Sequence, residues 1–159
     1  MSPDNSAPLR NTDEDPSVVL AAVDSSNGST RILAMSARIA RSFPEASLHV
    51  VHVFRTSRFD RAHAGAPAPA AEALADAKEH LEFLVRSARL QCRNTVTGHF
   101  VAGSPTDEIL KLRSELHADL LVVGTHDHKG FERLLLGSVA ETLVRKAQCS
   151  VLVVRAHGS

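Results

Sequence analysis

The sequence predicts an α/β protein in which a parallel sheet is covered by helices on both faces. Short apolar runs rich in β-branched residues alternate along the chain with segments whose apolar residues recur at helical spacing. Several of these runs are continuously apolar, which is typical of strands buried on both faces. Strands and helices that alternate at these lengths form right-handed βαβ units, which place the strands in one parallel sheet.

Five strands and four helices are expected. The strands, in chain order, are residues 18–23, 48–54, 96–102, 119–124 and 150–155. The third is less apolar and more regularly alternating, so we expect it near an edge of the sheet. Each of the four predicted helices has one apolar face, formed by residues that recur at helical spacing. In chain order these faces are Ile32, Met35 and Ile39; Leu74, Ala77, Leu81, Leu84 and Ala88; Ile109, Leu112 and Leu116; and Ala140, Leu143, Val144 and Ala147.

Two helix starts carry capping signals. Ser104 followed by Pro105 predicts a capped start with proline in the first turn, where its missing N–H costs nothing. Ser138 and Glu141 match a capping box at the start of the last helix.

Composition restricts the class of protein. A chain of 159 residues with a formal net charge of zero is expected to form one domain without global attraction to nucleic acid or anionic membranes. It contains no Trp or Tyr, which disfavours a stacking platform for single-stranded nucleic acid. No window approaches the ~20 apolar residues of a membrane span.

The N-terminal residues 1–16 are polar and lack the apolar core of a signal peptide, so we expect a disordered leader before a domain at 17–156. Cys92 and Cys149 have no metal-ligand spacing; Cys149 is expected to be a small buried hydrophobe rather than a disulfide partner. Two isolated cysteines fit a reducing compartment, and the cytoplasm is the expected location.

The segment 122–141 has the composition of a phosphate-binding loop. A β-branched run ends at Gly124, a loop rich in glycine and basic residues follows, and a helix opens at Gly137 and Ser138. Exposed backbone N–H groups and the positive end of a helix dipole favour an anion there. The alternative is ordinary turn chemistry at the two glycines. The motif is neither a Walker A loop nor the dinucleotide fingerprint.

Residues 55–71 interrupt the alternation of strands and helices with a Pro/Ala-rich loop. The segment follows the second strand, at the rim where α/β proteins bind ligands. It is either a flexible connector or a lid over a bound ligand.

These motifs together resemble the nucleotide-binding branch of the universal stress proteins. The family's pattern Gly-x-x-Gly-x9-Gly-Ser stands here as Gly124-x-x-Asp127-x9-Gly137-Ser138. The resemblance extends to Asp24, to His52-Val53 and to Gly103-Ser-Pro105, and covers nearly everything from Val18 to Arg155. It implies a three-layer α/β/α domain of the adenine nucleotide α-hydrolase type, with strand order 3-2-1-4-5.

That order would place a ligand crevice between the carboxyl ends of the first and fourth strands. By resemblance, Ala22, Val23 and Asp24, with backbone near Leu48, hold the adenine and ribose. Gly124 lies by the ribose, and position 127 and Gly130 belong to the phosphate loop. Gly137, Ser138 and Val139 offer N–H groups to the phosphates. The implied ligand is ATP, ADP or AMP, with or without Mg²⁺.

Asp127 departs from the family's pattern, which has glycine at that position. A carboxylate about 4 Å from a phosphate charge costs roughly 1 kcal/mol in water and ~4 kcal/mol near a protein surface. A net loss of about 2–3 kcal/mol corresponds to roughly a hundredfold in affinity. The neighbouring His126, His128, Lys129 and Arg133 would offset the repulsion, and a divalent cation bridging Asp127 to the phosphates is a third interpretation.

The resemblance therefore implies a dimeric regulatory protein that binds adenine nucleotide and at most hydrolyses it slowly. A dimer through residues 150–155 would cover an apolar edge strand. Two rivals are a stress-response scaffold that has lost the nucleotide and a true hydrolase.

Weaker interpretations concern single residues. His126 and His128 alone make a poor zinc signal, and no metal site is predicted. Ser138 lacks a nucleophile elbow, so no catalytic residue is assigned. Asp24 is equally a cap for the first helix, and His49 and His52 are expected to be structural histidines with satisfied hydrogen bonds.

Overall fold

The sheet has the predicted architecture and strand order. The computed structural model describes residues 15–56, 68–125 and 136–155. Within them the elements are β1 (Val18–Val23), α1 (Gly28–Ser42), β2 (Ser47–Arg55), α2 (Ala68–Gln91), β3 (Val96–Gly103), α3 (Pro105–Leu116), β4 (Leu120–Gly124), α4 (Ser138–Lys146) and β5 (Ser150–Val154). Each neighbouring pair of strands is parallel, and the order is β3-β2-β1-β4-β5. The α/β class and the edge position of β3 are thereby confirmed.

Side chains of the central strands divide between two apolar layers because successive residues of a strand point to opposite faces. Val19 and Ala21 of β1 pack into a cluster with α1 and α2, whereas Leu20 packs with α3 and α4. These three side chains are fully buried. Helices on both faces hold the carboxyl ends of β1 and β4 together at one edge of the sheet.

The helix starts differ from the predicted caps. The N-cap of α4 is Gly137, so Ser138 is the first helical residue and no side-chain cap forms. The carboxylate of Glu141 accepts instead from Arg145 at 2.8 Å, which leaves the capping box unmade. Ser104 does occupy the N-cap of α3, but its hydroxyl makes no capping bond.

The predicted 55–71 loop is shorter than its composition suggested. β2 continues to Arg55 and α2 begins at Ala68, since alanine strongly favours helix. Residues 57–67 lie outside the described residues, so the lid interpretation stays a prediction, as does the leader for residues 1–14.

Two further expectations can be compared with the described part of the chain. No helix there is both long and apolar enough to cross a membrane. Cys92 and Cys149 are both free thiols. Cys149 is only partly buried, contrary to expectation, and this burial is still sufficient to raise its pKa.

Candidate functional site

A crevice of about 630 Å³ opens at the carboxyl edge of the sheet. This volume lies within the range of small-molecule sites, roughly 300–1,000 Å³. Its walls come from the ends of β1, β2 and β4 and from the first turns of α3 and α4. The chain leaves β1 toward β2 on one side, while β4 lies on the other. The crevice therefore lies at the point where strand order reverses, as expected of ligand sites in such sheets.

The end of β1 is held by a compact polar network around Asp24. One carboxylate oxygen of Asp24 accepts from the backbone N–H of Ser26 at 2.9 Å and from the Ser29 hydroxyl at 3.0 Å. The single hydrogen of the buried Ser29 hydroxyl is shared with the backbone carbonyl of Asp24, which lies 2.7 Å from the hydroxyl oxygen. Asn27, not Asp24, is the N-cap of α1. Asp24 therefore shapes the turn into the helix and lines the crevice, but it is not the cap.

At the end of β4, Gly124 and Thr125 form the opposite wall. The Thr125 N–H donates to the carbonyl of Val154 at 2.9 Å, which continues the pairing with β5. A Cβ on Gly124 would lie 2.6 Å from Cδ1 of Ile32 in α1. The structure thus explains this glycine by close helix–strand packing, a reason different from both the turn and the ligand interpretations.

The third wall is the start of α4. Gly137, in extended backbone with φ −61° and ψ 154°, leads into the first turn with no side-chain cap. The first N–H groups of an α-helix have no intrahelical acceptor, and the helix dipole adds partial positive charge there. Gly137, Ser138 and Val139 all line the crevice. This end of the crevice can accept an anion.

Sequence reasoning missed several lining residues. Arg55, at the end of β2, is exposed and adds a cation to the rim. Val53, Pro105 and Ile109 add an apolar wall. The signal for Arg55 was available, because the carboxyl ends of adjacent parallel strands share one edge of the sheet.

The crevice brings together seven of the ten predicted site residues: Ala22, Val23, Asp24, Gly124, Gly137, Ser138 and Val139. Leu48 is not among them, and its position does not support the prediction. It is fully buried near the start of β2, in register with Val19 at the opposite end of β1. Asp127 and Gly130 lie outside the described residues.

His52 lies on β2 beside the end of β1, in register with Val23. It is 4% exposed, and its Nδ1 atom is buried without a hydrogen-bond partner within the described chain. The expectation of a satisfied histidine was therefore wrong for this residue. Burial lowers its pKa, with His80 acting in the same direction and Asp24 opposing it. The ring of His52 stacks on Phe100 with 5.5 Å between the ring centroids.

His49 behaves as expected. Its Nδ1 lies 2.9 Å from Nε2 of His99 on β3, so one ring donates to the other. Burial lowers the pKa of both. Among the residues that the structure describes, no group of three or more His, Cys, Asp and Glu side chains is placed to hold a metal. His126 and His128 lie outside that part of the chain.

Comparison with known proteins gives a consistent result. The model of the universal stress protein family matches residues 17–155. Universal stress protein A homolog 1 of Coxiella burnetii is 33% identical over 141 residues, which cover 86% of this chain and 94% of that protein. A universal stress protein of Methanocaldococcus jannaschii is 49% identical over 53 residues. That match covers 33% of this chain and only 31% of the relative.

Solved structures agree in fold. A universal stress protein in complex with cAMP aligns with a TM-score of 0.66 at 25% identity, covering 91% of this chain and 100% of that one. The universal stress protein of Archaeoglobus fulgidus in complex with dAMP aligns with a TM-score of 0.59 at 24% identity, covering 86% and 94%.

Proposed function

Because this chain belongs to the universal stress protein family, we propose that its crevice binds an adenine nucleotide and that occupancy regulates its contacts with other proteins. The structures of two similar proteins hold adenine nucleotides, cAMP in one and dAMP in the other. The observation that carries the proposal is the shared crevice: the end of β1, the end of β4 and the uncapped start of α4 all line one cavity.

The walls suggest how a nucleotide would lie. The backbone N–H groups at Gly137, Ser138 and Val139 would receive the phosphates, because the start of a helix favours anions. The adenine and ribose would lie along Ala22 to Asp24, by the apolar surface of Val53.

Arg55 would add charge at the phosphate end or at the rim, and its exposure leaves it able to reach either. We propose ATP with Mg²⁺ as the first ligand to test, with ADP and AMP beside it. Asp24 is committed to the turn through Ser26 and Ser29. Binding, with slow hydrolysis at most, is therefore the proposed activity.

Isothermal titration calorimetry with ATP and Mg²⁺, and separately with AMP, tests the proposal. Val139→Asp places a carboxylate in the crevice at the phosphate end. Val144→Asp introduces the same change on the same helix at a side chain that is 47% exposed and does not line the crevice. We expect the first variant to weaken binding at least tenfold and the second to leave it unchanged. No binding by the wild type at millimolar ligand, or equal affinities for both variants, would refute the proposal.

The alternative function is a scaffold that has lost the nucleotide. The sequence favours it at one position, Asp127, where the family's motif has glycine. Asp127→Gly separates the two functions. Nucleotide binding that appears only in this variant would show that the carboxylate closes the site. Equal binding by wild type and variant would remove both the scaffold and the repulsion argument.

We propose in addition a symmetric dimer through residues 150–155. β5 is an edge strand of the described sheet, and Val151, Leu152 and Val153 are each only half-buried. An antiparallel pairing of two such strands across a two-fold axis would cover their open backbone groups and apolar side chains. Light scattering at micromolar concentration should give the dimer mass; a monomer would exclude this arrangement.

A further inference from the structure

β3 is the other edge of the sheet, and no described strand pairs with its outer side. Backbone groups of successive strand residues point alternately to the two sides. The Thr95 carbonyl accepts from Leu48 N–H on the β2 side at 2.9 Å, whereas the Val96 carbonyl accepts from Nη2 of Arg89 at 3.0 Å. By this alternation the backbone groups of Gly98 and Phe100 also point outward.

A groove of about 480 Å³ runs beside this edge, between α2 and β3. α2 lines it with three cations, Lys78, Arg86 and Arg89, and with one carboxylate, Glu82. Three positive charges and one negative leave an excess of two in a chain whose formal net charge is zero. The groove is therefore locally basic, in contrast with the molecule as a whole.

The β3 wall of the groove is formed by Gly98 and Phe100. Gly98 is exposed, and a Cβ at this position would lie 2.8 Å from Cγ2 of Val85. A larger residue would require the Val85 side chain to shift, so glycine lets α2 pack closely on this strand. Beside it, Nζ of Lys78 lies 5.5 Å from the centroid of the Phe100 ring.

We propose that β3 and this groove form a docking site for an extended acidic peptide, which adds to the sheet as a further strand. Outward backbone groups of β3 would pair with the peptide, the basis of recognition by strand addition. Alternate side chains of an added strand face α2, where glutamate or aspartate would meet Lys78 and Arg86. The intervening side chains lie on the face of His99 and Val101, where apolar residues fit better. The excess positive charge of the groove favours an acidic partner over a basic one.

Fluorescence anisotropy with a labelled peptide of alternating glutamate and valine tests this site in the full chain. Arg86→Glu reverses one charge of the groove. Arg38→Glu makes the same change at an exposed position of α1, outside the groove. We expect the first variant to bind at least tenfold more weakly and the second to match the wild type. A peptide of alternating lysine and valine should not bind.

Two further measurements separate strand addition from plain charge attraction. Two versions of the same acidic peptide, N-methylated at every glutamate or at every valine, keep its charges. One of them loses the N–H donors that face β3, and the binding of that version should be abolished. Hydrogen exchange within 96–103 should slow when the unmodified peptide is present. Equal binding of the unmodified peptide and of both methylated versions, unchanged exchange in β3, or no binding by the wild type at millimolar peptide would each overturn the proposal. The groove shares no lining residue with the nucleotide crevice, so either site can fail while the other stands.

Discussion

Ile32 of α1 occupies the space that a side chain at position 124 would need. Its Cδ1 and Cγ1 atoms lie 2.6 Å and 3.3 Å from the position of a Cβ built on Gly124. Ile32 is 4% exposed and also lines the crevice, so its side chain or the strand must shift to admit a larger residue. Gly124→Ala should therefore force a displacement of Ile32 or of the strand.

The expected cost combines two terms. Overpacking of a core by a single methyl costs about 1–3 kcal/mol. Alanine is less flexible than glycine in the unfolded chain, which offsets the cost by about 0.4–1 kcal/mol. The difference between these terms runs from roughly 0 to 2.6 kcal/mol, and at their midpoints we expect Gly124→Ala to lower the free energy of unfolding by about 1.3 kcal/mol. For a domain of this size each kcal/mol corresponds to a fall in Tm of roughly 2–4 °C.

Ile32→Val provides the decisive control because it removes the Cδ1 atom. Alone it should cost about 0.5–1.5 kcal/mol. In the double variant the new methyl enters space that Cδ1 has vacated, so the combined loss should be smaller than the sum of the single losses by at least about 0.5 kcal/mol. Urea unfolding of all four proteins measures this coupling. Strictly additive losses would refute the packing explanation for Gly124.

Three other outcomes follow from named contacts. The Nδ2 atom of Asn94 lies 2.8–3.0 Å from three carbonyl oxygens around the α1–β2 connection. Asn94→Ala should therefore lower the free energy of unfolding, measured in urea, by about 1–3 kcal/mol. Asn94→Asp cannot donate these hydrogen bonds and should be destabilised at least as much. The carboxylate of Asp119 accepts hydrogen bonds from the N–H and the hydroxyl of Ser17 at 2.9 and 2.7 Å. Asp119→Ala should therefore lower the free energy of unfolding by a similar amount. Asp119→Asn keeps one acceptor oxygen and should lower it less. Burial lowers the pKa of His52 below its usual 6.5, so the unfolded chain binds the proton first as pH falls. The stability contributed by the neutral His52 ring should be complete above about pH 6.5 and decline below that pH. As the pH is lowered, the urea midpoint of His52→Leu should then fall less steeply than that of the wild type. Parallel curves for the two proteins would contradict this.

The fold was predictable because its determinants are local. Continuous apolar runs and helical stripes located all five strands and four helices within the described residues, with β1 predicted at its observed bounds. The strand order itself came from family resemblance rather than from periodicity, since a pattern of burial does not say which strands are neighbours.

The lining of the crevice was predictable where it depends on strand ends. Asp24 and Gly124 follow apolar runs, and the ends of parallel strands meet at one edge. Leu48 was predicted beside them, but it lies at the start of its strand and does not line the crevice, so its role stays a prediction without structural support. A capping pattern in the sequence also does not show whether the serine hydroxyl forms the capping hydrogen bond. At the start of α4, the hydroxyl of Ser138 does not form one.

By itself the sequence determined the alternation of elements, the class of sheet and the anion-favouring composition around Gly137, because propensity and periodicity act over a few residues. Only the tertiary structure decided that Ile32 is the reason for glycine at 124. It alone left an imidazole nitrogen of His52 buried without a partner in the described chain. Each of these depends on atoms far apart in sequence, whose distances are set by the packing of helices on the sheet.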